Sequence, residues 1–211
     1  AVEVREGAVE ESERSEGDDV GLRAFVGRRQ AVVATNDVKA DVAQLAERAV
    51  AMARVAPDDP FAGLADPSAL ARDIPDLDLL DPDLPAVALL EERAKRAENA
   101  GLAVKGVTKS GGASASAGIG GMVLVTSHGF RGAYLNSGQS VSMTAIVGEG
   151  TAMERDYDYS SALHGADLES PEKVGRTAGE RTVERLNPRK VETKRVPVVF
   201  DRRVAGSLVS H

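Results

Sequence analysis

Glu154, Asp156 and Asp158 occupy every second position of Glu154-Arg155-Asp156-Tyr157-Asp158-Tyr159. In a strand that spacing places all three carboxylates on one face. Such a row can hold a divalent cation, or supply an acid and a base. It can equally be a solvated face, or pair with arginines on a neighbouring strand. The opposite face carries Met153, Arg155, Tyr157 and Tyr159. Tyr and Arg are enriched where proteins meet other chains. These four are the candidate substrate-contacting or interface residues.

Other strings that invite chemistry do not meet its requirements. Lys109-Ser110-Gly111-Gly112-Ala113-Ser114 suggests a phosphate loop. A phosphate loop needs its Lys after the glycines, at a helix start. Here Lys109 precedes them, and a bulged strand pair is predicted instead. Gly118-Ile119-Gly120-Gly121 does not have dinucleotide spacing. His128, His164 and His211 stand far from one another, and none has a partner at metal-ligand spacing. The serines of Ser114–Ser116 and Ser137–Ser142 read as ordinary strand residues. No catalytic residue and no metal ligand set is assigned.

These residues need a scaffold, and the pattern predicts one. Val2–Asn36 reads as three or four antiparallel strands, with turns at Glu6-Gly7 and Gly27-Arg28. Val20, Leu22, Ala24 and Val26 alternate onto one face. Asn36 or Asp37 offers a helix cap. Val42, Leu45, Ala46, Ala49, Met52, Ala53 and Ala56 then form an apolar stripe, ended by Pro57. Residues 57–85 hold six of the nine prolines and eight aspartates, and read as a surface connection.

A second helix is predicted over Pro85–Ala100, closed by Gly101. Val104–Ser160 is strand-rich. It contains a short apolar strand at Met122–Thr126 and a clean alternation over Ser140–Val147. Gly148-Glu149-Gly150 turns the chain into a hairpin partner over Thr151–Ser160. Ser170-Pro171 opens a third helix, with Val174, Ala178, Thr182 and Leu186 inward. Val196–Phe200 reads as a buried strand, and Asp201 as a cap after it. Strands and helices are segregated. The fold class is α+β: antiparallel sheets with helices packed on one face.

Composition bounds the function. The chain has 211 residues, 42% hydrophobic and only 3% aromatic, with no Trp. Its net charge of −7 argues against a general nucleic-acid surface. The absence of Cys removes disulfides, thiolate metal sites and a Cys nucleophile, and fits a cytoplasmic setting. No run approaches the roughly 20 apolar residues of a membrane helix.

Several strings, in order, carry a resemblance. They are Gly17–Gln30, Glu47–Ala53, Val107–Ser114, Thr126–Phe130, Met153–Ser161, Pro197–Asp201 and Gly206–His211. Together they are similar to the TldD/PmbA (TldE) family, once labelled modulators of DNA gyrase. The resemblance implies a soluble subunit associated with metal-dependent peptide cleavage. On that basis 1–186 is expected to be the N-terminal α+β domain, and 187–211 the start of a C-terminal domain. The chain begins at Ala1 within a strand pattern and ends at His211 within a helix pattern, so it reads as an N-terminal portion.

The catalytic TldD-like members carry a His-Glu-x-x-x-His zinc motif in their second half. There a zinc-bound water attacks the peptide carbonyl with Glu as base. This sequence has no such motif, and Ser207–His211 is spelled more like the PmbA/TldE branch. The implied role is a non-catalytic subunit without its own cofactor, the zinc lying in a TldD-like partner. The expected partners are that subunit or a second copy, with a peptide or unfolded small protein as substrate, and neither nucleic acid nor membrane. Two alternatives stay open: a protein-binding modulator of gyrase or an antitoxin, and a TldD-like catalytic subunit cut before its motif.

Overall fold

A computed structural model describes residues 1–210, so His211 and any role for it lie outside the described residues. The framework is a five-stranded antiparallel sheet in the order β2-β1-β5-β6-β7. Its strands are β1 (Val2–Arg5), β2 (Ala8–Ser12), β5 (Val107–Val125), β6 (Arg131–Val147) and β7 (Glu154–Ala162). β3 (Val20–Val26) and β4 (Arg29–Thr35) form a separate hairpin against α1 (Val42–Val55). α2 (Val87–Leu102) and α3 (Pro171–Glu184) cover one face of the main sheet, and α4 (Arg202–Ala205) is a single late turn. The fold is α+β, as the segregated pattern implies.

The alternation of β6 makes this packing possible. Val141, Met143, Ala145 and Val147 point to the helices and are fully or almost fully buried. Ser140, Ser142 and Thr144 point to the other face, which among the described residues no helix packs against. With hardly any aromatics, the core is filled by Val, Ala and Met, and α2 and α3 must approach closely. Gly101, Gly175 and Gly179 allow it. A Cβ on Gly175 would collide with the Ala97 carbonyl of α2. Gly101 therefore does not close α2 as its position suggests. It lies inside the helix, and Ala103 caps the end.

Buried polar anchors fix the first hairpin. Glu6 and Gly7 both have positive φ, as the tight turn between β1 and β2 requires. Their N–H groups donate to Glu98 Oε1 and Oε2 at 2.9 and 2.8 Å. The Glu98 side chain is completely buried on α2, so one carboxylate satisfies two turn donors and ties the hairpin to the helix layer.

Other expectations need correction. α1 is capped by Asp41, which accepts from Ala43 and Gln44 N–H, and not by Asn36 or Asp37. Asp37 instead accepts from Lys39 N–H within its own loop. Only Ala49 and Ala53 of the α1 stripe are buried, while Val42 and Met52 are exposed. Met122–Val125 is not a separate short strand but the end of the 19-residue β5. The glycine- and serine-rich tract stays in that strand because β6 pairs along its length, with bulges near Val107 and between Ser110 and Ala113.

Val196–Phe200 is neither buried nor a strand. An apolar β-branched run becomes a strand only beside a free edge at the right place, and among the described residues none pairs with it. Residues 57–85 contain one short 3₁₀ turn, Pro67–Ala69, and are largely exposed.

Candidate functional site

β7 divides its side chains as its period demands. Asp156 and Asp158 lie opposite Ala145 and Met143 of β6, on the helix-covered face. Tyr157 and Tyr159 lie opposite Thr144 and Ser142, on the uncovered face. The carboxylates meet arginines, though from a helix and a late turn rather than a strand. Arg181 of α3 pairs with Asp158. Arg185, just after α3, donates from Nη1 to Asp156 Oδ2 at 3.0 Å. Arg203 of α4 donates from Nη1 to Asp156 Oδ1 at 3.0 Å and to the Tyr157 carbonyl at 2.9 Å.

Asp156 is only 8% exposed. Burial pushes its carboxyl upward. The Arg203 guanidinium, the Tyr157 N–H and Arg185 outweigh burial and hold it at about 2. Its charge is consumed by these partners. The row is a structural latch joining β7, α3 and α4, and Asp156 is not poised to exchange protons near neutral pH.

The uncovered face carries the four candidate interface residues. Arg155, Tyr157 and Tyr159 are exposed on β7, and Met153 is exposed just before it. The Tyr157 and Tyr159 rings stack with centroids 6.3 Å apart. The Arg203 guanidinium stands 5.4 Å from the Tyr157 ring centroid. Beside the tyrosines runs a hydroxyl ladder: Ser114 Oγ to Ser142 Oγ at 2.9 Å, and Ser116 Oγ to Ser140 Oγ at 2.8 Å. These serines bond one another. The surface is aromatic and hydroxyl-rich.

A second polar centre had no clear sequence signal. Asp81, in the proline-rich connection, accepts on Oδ2 from Gln139 Nε2 at 2.8 Å and from Gly165 N–H at 2.7 Å. Its own N–H donates to Ser137 Oγ at 2.7 Å. Gln139 and Ser137 are buried, and Gln139 Oε1 accepts from Arg93 of α2 at 2.8 Å. Gly165 N–H holds the Asp81 carboxyl below the usual range, helped by Asp83 N–H. His164 Nε2 lies 2.8 Å from the Asp78 carbonyl; this contact and the Asp78 carboxylate push the imidazole upward despite partial burial. The connection is therefore pinned to the sheet at residues 78–81. The one hint in the sequence is a Gln inside the inward row of β6.

Among the described residues no group of three His, Cys, Asp or Glu side chains could hold a metal ion. Asp156 and Asp158 are taken by arginines, and His164 by Asp78. These residues do not fit a zinc site. Among the described residues no helix is long and apolar enough to cross a membrane.

Comparison with known proteins gives this geometry its context. The family model for the PmbA/TldA metallopeptidase central domain matches residues 78–186, and that for domain 1 of the same proteins matches residues 1–53. The chain belongs to the PmbA/TldD metallopeptidase family. It is 36% identical to Metalloprotease PmbA of Escherichia coli O157:H7 over its whole length, and 34% identical to the PmbA homologue of Haemophilus influenzae. It covers 47% of each, so the chain spans about half the length of these relatives.

Among solved structures, a candidate modulator of DNA gyrase from Bacteroides thetaiotaomicron is similar at 27% identity, with a TM-score of 0.77. That match covers 90% of this chain and 44% of the other. TldE from Thermococcus kodakarensis shares the fold at 14% identity and a TM-score of 0.66, over 87% of this chain and 41% of the other. Relatives named PmbA and TldE match the branch to which the sequence is most similar. The central-domain match begins where Asp78–Asp81 dock on the sheet, and includes all four interface candidates.

Proposed function

We propose that this chain is a non-catalytic wall of a metal-dependent peptidase of the PmbA/TldE kind. The uncovered sheet face carries the reading. Met153, Arg155, Tyr157 and Tyr159 face outward, while the carboxylates behind them are neutralised internally. In this reading 1–186 is the scaffold. The face around Tyr157 and Tyr159 contacts a TldD-like subunit, or a second copy, and lines the space that takes a peptide or unfolded small protein. The partner supplies zinc, and the complex works in the cytoplasm.

The family assignment and the 36% identity to a protein named as a metalloprotease support a role in proteolysis. The pairing of Asp156 and Asp158 with Arg181, Arg185 and Arg203 supports a division of labour. The test is reconstitution. The parent protein is co-expressed with a TldD-like subunit, and zinc-dependent cleavage of an unfolded peptide is followed. Tyr157→Ala with Tyr159→Ala should weaken both assembly and cleavage.

A second reading has one observation in its favour. The solved structure with a TM-score of 0.77 is described as a candidate gyrase modulator. A binding module of that kind would assemble with its target and leave the reconstituted pair without cleavage.

A further inference from the structure

Away from the tyrosine face, the far ends of β5 and β6 leave the main sheet as a two-stranded ribbon. β1 pairs with β5 only as far as Ala115. From Gly118 to Val125, β5 pairs with β6 alone among the described residues. Its outer edge therefore presents unpaired N–H and C=O groups at alternate positions. Along this part of the chain a groove of about 1400 Å³ opens between the ribbon, the start of β3 and residues 74–80.

Three properties of this groove converge. It is apolar: Leu77, Ile119, Met122, Val123 and Leu135 line it and are each about half or more exposed. Its ionisable lining is of one sign: Asp18, Asp19, Asp76 and Asp78 contribute, and among the described residues no Lys, Arg or His does. One wall is held in place, because the Asp81 and His164 contacts fix the end of the 74–80 segment on the sheet. Asp78 faces His164, while Asp18, Asp19 and Asp76 form no ion pair among the described residues; a monomeric surface rarely leaves a strand edge, an apolar trough and such carboxylates together.

We propose that this groove binds an extended polypeptide segment with alternating apolar and basic side chains, added as a further strand along the free edge of β5. The inference rests on the reading of the chain as a peptide-handling wall, and names the class of segment that wall takes. Strand addition supplies affinity through main-chain hydrogen bonds, and alternating side chains supply selectivity. One set enters the apolar trough and the other reaches the aspartates. The free edge accommodates about eight residues, or about 26 Å at 3.3 Å per residue. Acidic segments are repelled by the four aspartates and by the net charge of −7.

The test uses the 211-residue chain and labelled ten-residue peptides, read by fluorescence anisotropy. One peptide repeats Lys-Val-Lys-Leu, one repeats Glu-Val-Glu-Leu, and one carries proline at alternate positions of the basic sequence. The basic peptide should bind at least about tenfold more tightly than either other, and weaken as salt rises. Asp18→Lys with Asp19→Lys should weaken it on the order of tenfold; both residues are exposed, and circular dichroism checks that the variant folds. Hydrogen exchange should slow over 118–125 on binding.

Equal binding of the acidic peptide, an unchanged double variant, or protection elsewhere would overturn the proposal. So would sedimentation showing a dimer that already covers the ribbon. Zinc-dependent cleavage by the reconstituted pair without peptide binding here would remove this inference alone. Peptide binding here without cleavage by the pair would leave the groove and remove the peptidase reading.

Discussion

Replacing Asp156 by Asn tests whether the carboxylate row is a latch. Asp156 accepts from the Tyr157 N–H at 2.8 Å and from Arg185 and Arg203 at 3.0 Å each. Its carboxyl is held at about 2, against an ordinary 3.8. At about 1.4 kcal/mol per pH unit, that difference is worth about 2 kcal/mol of folding stability. The folded value is depressed, so this stability is present in full above the unfolded value, near pH 4. It is lost as pH falls toward 2. Urea unfolding followed by circular dichroism at pH 6 and pH 2 measures it. The parent chain should lose about 2 kcal/mol more between those conditions than Asp156→Asn, which has no proton to gain. At pH 6 the variant should be less stable by about 2 kcal/mol or more, because two guanidinium groups then face a neutral amide. Parallel pH profiles for the two proteins would refute the reasoning.

Three other outcomes follow from the same geometry. Gly175→Ala forces α2 away from α3 at the Ala97 carbonyl and should cost about 1–3 kcal/mol, read as a lower thermal midpoint. Gln139→Leu leaves Arg93 and Asp81 without their shared partner, at about 1–3 kcal/mol; limited proteolysis should then cut faster near residues 78–83. Tyr157→Ala and Tyr159→Ala remove exposed rings, so unfolding stability should change by less than about 1 kcal/mol, while affinity for a TldD-like subunit falls tenfold or more.

The sequence shows the fold where local signals and tertiary demand agree. Ser170-Pro171 starts α3 as a cap followed by proline should, and Ser170 accepts from Lys173 N–H. The alternation of Ser140–Val147 marks its buried and open faces correctly. The paired faces of β7 were also readable, including the option that arginines meet the acidic row. Their source was not, because Arg181, Arg185 and Arg203 converge on β7 only after α3 and α4 fold back. Gly101 looked like a helix end, since close helix packing favours the same residue as a terminus. Glu98 and Gln139 resemble ordinary surface residues in sequence, and only the tertiary structure reveals their buried partners. Val196–Phe200 has strand composition, yet composition cannot supply a pairing edge. The groove was missed because its walls come from segments about 50 residues apart.

In the proposed reading the chain contributes a wall and contacts to a peptidase whose metal chemistry lies elsewhere. The most direct measurement is turnover of an unfolded peptide by the purified 211-residue chain, by its parent protein with a TldD-like subunit, and by that pair after chelation of zinc. Cleavage only by the zinc-loaded pair is the predicted result. Turnover by the 211-residue chain alone, with its own side chains, would contradict it.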